Sequence, residues 1–385
     1  MVPFWKPGNV KATMSPFILY HKLQIKKIKI RMKQLKFNTA ILTALAVTLL
    51  MPSCKKSESI LMTEKNINYP AAYVVNGESS TISVIKLSTN TVTDSIDLMN
   101  SSGSTIMWPH HIYHHQSGGS HHLVIGVPGM DLSEGHTGGM PGMKGMVVVM
   151  DAITGVIKKN LEVPLMNHNG IFSPDGTEIW TSQMDMAGKV LVYDAATYAL
   201  KSTINVGNEP AEVTFSADGS KAYVCNGMSN TVSVINPSTK AVIATVNVGM
   251  NPVGAWSSSI GKMFVDNEEG QTISVIDVAS NANVATINLG FKPGYAAYNA
   301  TASELWVTNA NSGKVAYYID MGANSWMKHG EFATGADAHA IAFNGNYAYI
   351  TNQGANTVSV INVTTHAKIK DIAVGKKPNG IVFKY

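Results

Sequence analysis

Histidine is the residue type most concentrated in this sequence. The stretch WPHHIYHHQSGGSHH, residues 108–122, holds six of the twelve histidines. Neutral imidazole is a common ligand of zinc and copper, and imidazole also acts as a general acid or base near neutral pH. The stretch therefore predicts a metal site or a catalytic site, and the alternative is a surface hairpin rich in histidine by composition alone.

A glycine- and methionine-rich segment, PGMDLSEGHTGGMPGMKGM, follows at residues 128–146. This segment and an equivalent later one carry one histidine and six methionines: His136, Met130, Met140, Met143, Met146, Met184 and Met186. Thioether sulfur selects Cu(I), whereas imidazole accepts either copper state or zinc. Methionine also makes adaptable packing surfaces, which is the alternative interpretation. We retain as weaker metal candidates His111, His136, Met140 and Met143.

Sequence motifs of hydrolytic and phosphate-binding enzymes are absent. There is no GxSxG elbow, HExxH pair, phosphate-binding loop or CxxC pair anywhere in the chain. Cys225 lies inside an apolar strand pattern, so we expect a buried and unreactive thiol. No catalytic residue is predicted, and the sequence favours a binding protein over an enzyme.

The elements that position these residues follow from internal repeats. Three copies of one pattern span residues 222–252, 263–293 and 348–378, and a fourth spans residues 72–98. Each copy contains β-branched runs with apolar and polar residues alternating, separated by Asn, Gly, Ser and Thr turns. Four short antiparallel strands repeated about every 42 residues are typical of a β-propeller blade.

Counting the starts of the innermost strands predicts seven blades. The aligned positions are His110, His168, Ala211, Val253, Gly294, His339 and Asn379. The chain ends after one strand of the last repeat, and the copy at residues 72–98 lacks that strand. We therefore expect an all-β, seven-bladed propeller, residues 71–385, closed by pairing of the C-terminal strand with the N-terminal blade.

The repeats YVCN, WVTN and YITN, each followed by a TVSVI-like strand, resemble the bacterial YVTN-repeat propeller family. The resemblance covers residues 70–385. It implies an exported or surface-associated protein with a seven-bladed propeller fold. The same blade occurs in the propellers of nitrous oxide reductase and haem d1 proteins, so the fold does not decide the function.

The predicted blade geometry sorts the histidines into two groups. The innermost strands start at one face of the disc, so His110, His168 and His339 are predicted to share one arc of the channel mouth. Three imidazoles match the ligand number of a copper or zinc site with an open position, and Asn169, Glu212 and Asn379 could support them. The other four histidines are predicted at the opposite face, where weak and adventitious metal binding is expected: His114, His115, His121 and His122.

The N-terminus is typical of an export signal. A basic stretch precedes the apolar run of residues 40–50, which is too short to span a bilayer, and MPSC follows. Ser53 before Cys54 resembles a bacterial lipobox, which implies lipidation of Cys54. We therefore divide the chain into an extension with a signal peptide, residues 1–54, and a tether, residues 55–70. The localisation predicted is the bacterial cell envelope, at the periplasmic or outer-membrane surface.

Charge excludes some partners. The formal charge of +4 arises from the N-terminal 54 residues, and the remaining chain holds 20 Lys, no Arg and 25 Asp or Glu. A mildly acidic body without arginine makes nucleic acid an unsuitable partner. We therefore expect a monomeric, lipid-anchored scaffold that binds an envelope protein or a small ligand at the channel face. The alternative is a copper- or zinc-dependent redox or metal-handling protein.

Overall fold

The computed structural model describes residues 64–100, 102–133 and 142–385. These residues form 28 strands and one short 3-10 helix, Ala310–Ser312. The strands make seven antiparallel sheets of four strands each. Among the described residues, no helix is long and apolar enough to cross a membrane.

The seven sheets are the predicted blades. The first joins the two ends of the chain: β1 (Ala71–Asn76), β2 (Thr81–Lys86), β3 (Thr91–Asp97) and β28 (Pro378–Lys384). The second contains β4 (Ile112–Ser117), β5 (Ser120–Val127), β6 (Gly145–Asp151) and β7 (Ile157–Val163). The third contains β8 (Ile171–Phe172), β9 (Glu178–Gln183), β10 (Lys189–Asp194) and β11 (Leu200–Asn205).

The remaining four blades follow the same order. The fourth contains β12 (Pro210–Phe215), β13 (Ala222–Asn226), β14 (Thr231–Ile235) and β15 (Val242–Asn247). The fifth contains β16 (Pro252–Ser257), β17 (Lys262–Asn267), β18 (Thr272–Asp277) and β19 (Ala282–Asn288). The sixth contains β20 (Pro293–Asn299), β21 (Glu304–Asn309), β22 (Lys314–Asp320) and β23 (Trp326–Ala333). The seventh contains β24 (Ala338–Asn344), β25 (Tyr347–Asn352), β26 (Thr357–Asn362) and β27 (Lys368–Ala373).

Strand β28 closes the ring. It pairs with β1 in an antiparallel register in which Ala71 lies opposite Lys384 and Tyr73 opposite Val382. It also contacts the innermost strands of the two neighbouring blades, β4 and β24. Closure removes an edge that could pair with another chain. The prediction of a seven-bladed all-β propeller closed by its C-terminal strand is therefore confirmed.

The repeated Asn, Thr and Ser of the sequence pattern form the same side-chain hydrogen bonds in four blades. In each, the Asn side-chain amide at the end of the second strand donates to a Thr and a Ser hydroxyl of the third strand. The eight donor–acceptor distances lie between 2.9 and 3.1 Å. Because these polar groups lie between apolar blades, each must be paired, which explains why the motif recurs.

The folded unit extends slightly before residue 71. Ile67 is fully buried, and its backbone N–H donates to Ile153 O at 2.9 Å. The described end of the predicted tether, residues 64–70, therefore packs on the second blade. The predicted signal peptide and Cys54 lie outside the described residues.

Candidate metal centre

Three histidines form a buried cluster in the central channel. His110, His111 and His168 are each at most 5% exposed. One nitrogen from each ring lies within 4.8 Å of the others, and the ring centroids are 4.4 to 5.1 Å apart. The cluster brings three imidazole rings together, the number of ligands that a zinc or copper site with an open position requires.

A local irregularity at the start of the innermost strand brings His110 and His111 together. His110 N–H donates to Gly126 O at 2.9 Å, and Gly126 N–H donates to His111 O at 3.0 Å, so two residues lie opposite one. The innermost strands of five other blades also shift register at their start, for example between Pro210 and Val213. A β-bulge redirects side chains that strict alternation would send to opposite faces.

Glu212 joins two of these histidines. Its Oε1 atom lies 2.7 Å from His111 Nε2 and 2.9 Å from His168 Nδ1, and its side chain has no exposed surface. Burial alone would raise the pKa of this carboxyl, but the contacts with His111 and His168 hold the pKa well below its ordinary value. The channel therefore contains a buried carboxylate, which requires a nearby positive charge such as an imidazolium or a metal ion.

A second layer of hydrogen bonds fixes the carboxylate. Tyr113 Oη donates to Glu212 Oε2 at 3.2 Å, and Asn169 Nδ2 donates to Tyr113 Oη at 3.3 Å. Asn169 is held in turn by Val213, since its amide donates to Val213 O at 2.8 Å and accepts from Val213 N at 3.2 Å. Asn169 and Glu212 thus take the supporting positions expected from the sequence, whereas Tyr113 was not among the predicted site residues.

The other predicted ligands lie farther from this cluster or outside the described chain. The ring centroid of His339 is 5.9 Å from that of His110 and 5.8 Å from that of His111. His339 is therefore near the cluster but not among the three histidines whose nitrogens lie within 4.8 Å. Asn379 lines a small pocket beside His110. His136 and Met140 lie outside the described residues.

A cluster of methionine side chains lies beside a small pocket that His110 lines. Met166, Met184 and Leu132 are buried, with Met130 and Met143 packed against them. Met130 and Leu132 also line the small pocket beside His110. The described parts of the segment, residues 128–133 and 142–146, therefore lie at the same face as the start of the innermost strands, as the blade geometry predicts. One methionine, Met130, shares this pocket with His110 of the histidine cluster.

The other four histidines of residues 108–122 pair across the hairpin of β4 and β5. His114 and His121 are stacked with ring centroids 5.2 Å apart, and His114 Nε2 lies 3.0 Å from His121 Nδ1. His115 lies directly opposite His122, and both contact Phe172. These pairs are separate from the channel cluster, and their position across the hairpin agrees with the sequence prediction.

The His114 and His121 pair predicts a loss of stability in mild acid. Burial, followed by the charges of His121 and Lys384, lowers the pKa of His114 to about 4. The unfolded state therefore binds the proton more tightly between pH 6.5 and about 4, so stability falls as pH falls through this window. Melting temperatures measured from pH 7.5 to 4 should decline less steeply for a His114→Gln variant. Equal slopes for both proteins would contradict the assignment.

Known proteins resemble this chain in fold. No family model and no curated protein sequence matches it. A functionally unknown protein from Desulfotomaculum acetoxidans is 13% identical with a TM-score of 0.63, over 82% of this chain and 99% of that one. The periplasmic gluconolactonase of Pseudomonas aeruginosa is 16% identical with a TM-score of 0.62, over 82% and 99%. Hydrazine synthase from Kuenenia stuttgartiensis is 18% identical with a TM-score of 0.57, over 71% and 88%.

These similarities show a seven-bladed propeller fold shared with gluconolactonase-like proteins. At such identities they show the fold alone, because unrelated functions use the same propeller. The resemblance to the YVTN-repeat family stays a prediction.

Proposed function

We propose that this chain is a propeller of the bacterial cell envelope, anchored through a lipid on Cys54, that binds one zinc or copper ion in its channel. The observation that carries the proposal is the buried trio of His110, His111 and His168 around the carboxylate of Glu212. A divalent ion there would neutralise the carboxylate, while the histidines would be neutral ligands. Metal binding would then release the proton that otherwise balances Glu212.

Glu212 is the positioning residue of this proposal. A carboxylate bound to one ring nitrogen sets the tautomer of a histidine and leaves the other nitrogen for the metal. Glu212 reaches Nε2 of His111 and Nδ1 of His168, so the opposite nitrogens would be the ligand atoms. The role proposed for the bound ion is structural or in binding, at the channel face that an envelope protein or small ligand would contact.

Copper handling is the second candidate function. It is favoured by the methionine cluster of Met130, Met143, Met166 and Met184 beside the pocket of His110. Thioethers do not suit zinc, whereas a histidine site next to thioethers suits both copper states. A redox or metal-transfer protein would use both groups, and copper rather than zinc would then be the native ion.

Metal content tests the proposal directly. Untagged protein purified without metal columns is analysed by elemental mass spectrometry, beside a His110→Ala/His111→Ala/His168→Ala variant. The matched control, His114→Ala/His121→Ala, removes the hairpin pair and keeps the channel. Near-stoichiometric zinc or copper should remain in wild type and control and disappear from the triple variant. Metal lost only from the hairpin control, or wild type that takes up none on titration, would contradict a channel site.

A further inference from the structure

The opposite end of the channel opens into a cavity of about 340 Å³ lined by aromatic rings. Six aromatic side chains contribute: Tyr113, Phe215, Trp256, Tyr295, Tyr298 and Phe343. The volume falls within the range typical of small-molecule sites. The cavity is separate from the methionine cluster, because it lies at the far ends of the innermost strands.

The aromatic wall is fixed in advance of any ligand. Trp256 Nε1 donates to the buried carboxyl of Asp266 at 2.7 Å, which satisfies the polar atom of the indole. The ring centroids of Trp256 and Tyr295 are 3.7 Å apart. A Cβ atom at Gly254 would lie 2.3 Å from Trp256 Cζ2, so glycine there lets the indole lie against the backbone. Because these side chains are already held in place, they lose little conformational entropy when a ligand ring stacks on them.

The electrostatic character of the cavity limits the class of ligand. Within the described chain, no charged side chain lines it; the polar side chains are Thr214, Ser257 and the tyrosine hydroxyls. Thr214 Oγ1 already donates to Ala255 O at 2.6 Å, and the Tyr113 hydroxyl is bound to Glu212. A charged ligand would lose its hydration without an ionic partner, and a sugar would bury several unpaired hydroxyls. An uncharged flat ring with at most one or two polar groups carries no charge to desolvate and leaves few hydroxyls unpaired, so it fits this cavity best.

We propose that this cavity binds an uncharged aromatic molecule with a single- or double-ring system, stacked on the aromatic wall. The lining residues of the cavity include none of the three clustered histidines, but Trp256 and Tyr295 lie against His111, with ring centroids 6.0 and 6.4 Å apart. Tyr113 links the cavity to the histidine cluster, because it lines the cavity and its hydroxyl donates to Glu212.

The test is calorimetric titration of the chelator-treated protein with four probes: phenol, indole, benzoate and glucose. Phenol or indole should saturate one site, benzoate should bind at least tenfold more weakly, and glucose should not bind. Chelator treatment removes metal from the experiment, so this test can fail while the channel metal site stands, and the reverse. Tight benzoate binding, glucose binding, or no binding of either aromatic probe would overturn the proposal.

A matched pair of variants locates the binding. Phe343 and Phe332 both contact Trp306, with ring centroids 5.2 and 4.7 Å away, but only Phe343 lines the cavity. Phe343→Leu should weaken indole binding about tenfold, the equivalent of one lost aromatic contact, and Phe332→Leu should leave it unchanged. Phe215→Leu on another part of the wall gives a second measurement if Phe343→Leu does not fold. Equal affinities for all the folded variants would overturn the location.

Discussion

Replacing Glu212 by glutamine is expected to lower the free energy of unfolding by about 3 to 5 kcal/mol at pH 7, because removing the carboxylate from a buried ion pair leaves charge on the histidine side uncompensated. The amide keeps the shape of the side chain, yet it cannot balance an imidazolium. It also places an N–H donor near His111 Nε2 or His168 Nδ1, where the carboxylate oxygen stands 2.7 and 2.9 Å away. Urea unfolding of both proteins, followed by circular dichroism, measures the difference.

The difference between the two proteins should depend on pH in a defined direction. Burial by itself would raise the pKa of Glu212, and the contacts with His111 and His168 reverse this and hold it below the ordinary value of 4.5. A depressed carboxyl pKa gives stability that is complete above pH 4.5 and is lost as pH falls further. The stability gap between wild type and Glu212→Gln should therefore narrow below pH 4.5. A constant gap from pH 7 to 3 would contradict an ionised Glu212.

Glu304 provides the matched control. It is also buried and also contacts a histidine, since His366 Nε2 lies 2.9 Å from its Oε2, but it belongs to the sixth blade away from the channel cluster. Glu304→Gln should reduce stability without changing metal content. Glu212→Gln should weaken metal binding by about 10- to 100-fold as well, which is typical when the carboxylate behind a histidine ligand is removed. Equal metal binding in both variants would limit Glu212 to a structural role.

The repeats made the fold predictable because each blade uses the same local chemistry. Asn226 binds Thr231 and Ser233 in the same way that Asn352 binds Thr357 and Ser359. Any alignment of the copies therefore aligns the strands. The repeat at one end of the chain lacks its innermost strand, and the repeat at the other end consists of that strand alone. This complementarity predicts the pairing of β28 with β1, which the structure shows.

The candidate site was predictable only in part. The aligned strand starts select His110 and His168, which lie together in the cluster, but they favour His339 over His111. The bulge opposite Gly126 is the reason, since it turns two consecutive residues into the channel and strict alternation does not. Tyr113 could have been found from its spacing, because it lies two residues after His111 on an alternating strand. The aromatic cavity combines residues of several blades that no single repeat contains.

Adding one methyl group at Gly126 should disturb the site as much as removing a ligand would. A Cβ atom there would lie 2.5 Å from Asn169 Cα and 2.7 Å from His168 O, and both are backbone atoms that cannot rotate away. We expect Gly126→Ala to lose roughly 3 kcal/mol of unfolding free energy, the upper range for an overpacked interior. Relief of the clash requires the third blade to move outward, which separates His168 from His110 and weakens metal binding.

Gly77→Ala is the control for that substitution. Gly77 also lies at the channel face, but its added Cβ would come no closer than 3.4 Å to any neighbour, an ordinary contact. Alanine at a compatible position restricts the unfolded chain, so this variant should be as stable as wild type or slightly more so. Urea unfolding and metal analysis of the two variants separate a steric effect at Gly126 from a general intolerance of the channel face. If Gly126→Ala kept both its stability and its metal, the close approach of β5 to residues 168–169 would not be what holds His168 in the cluster.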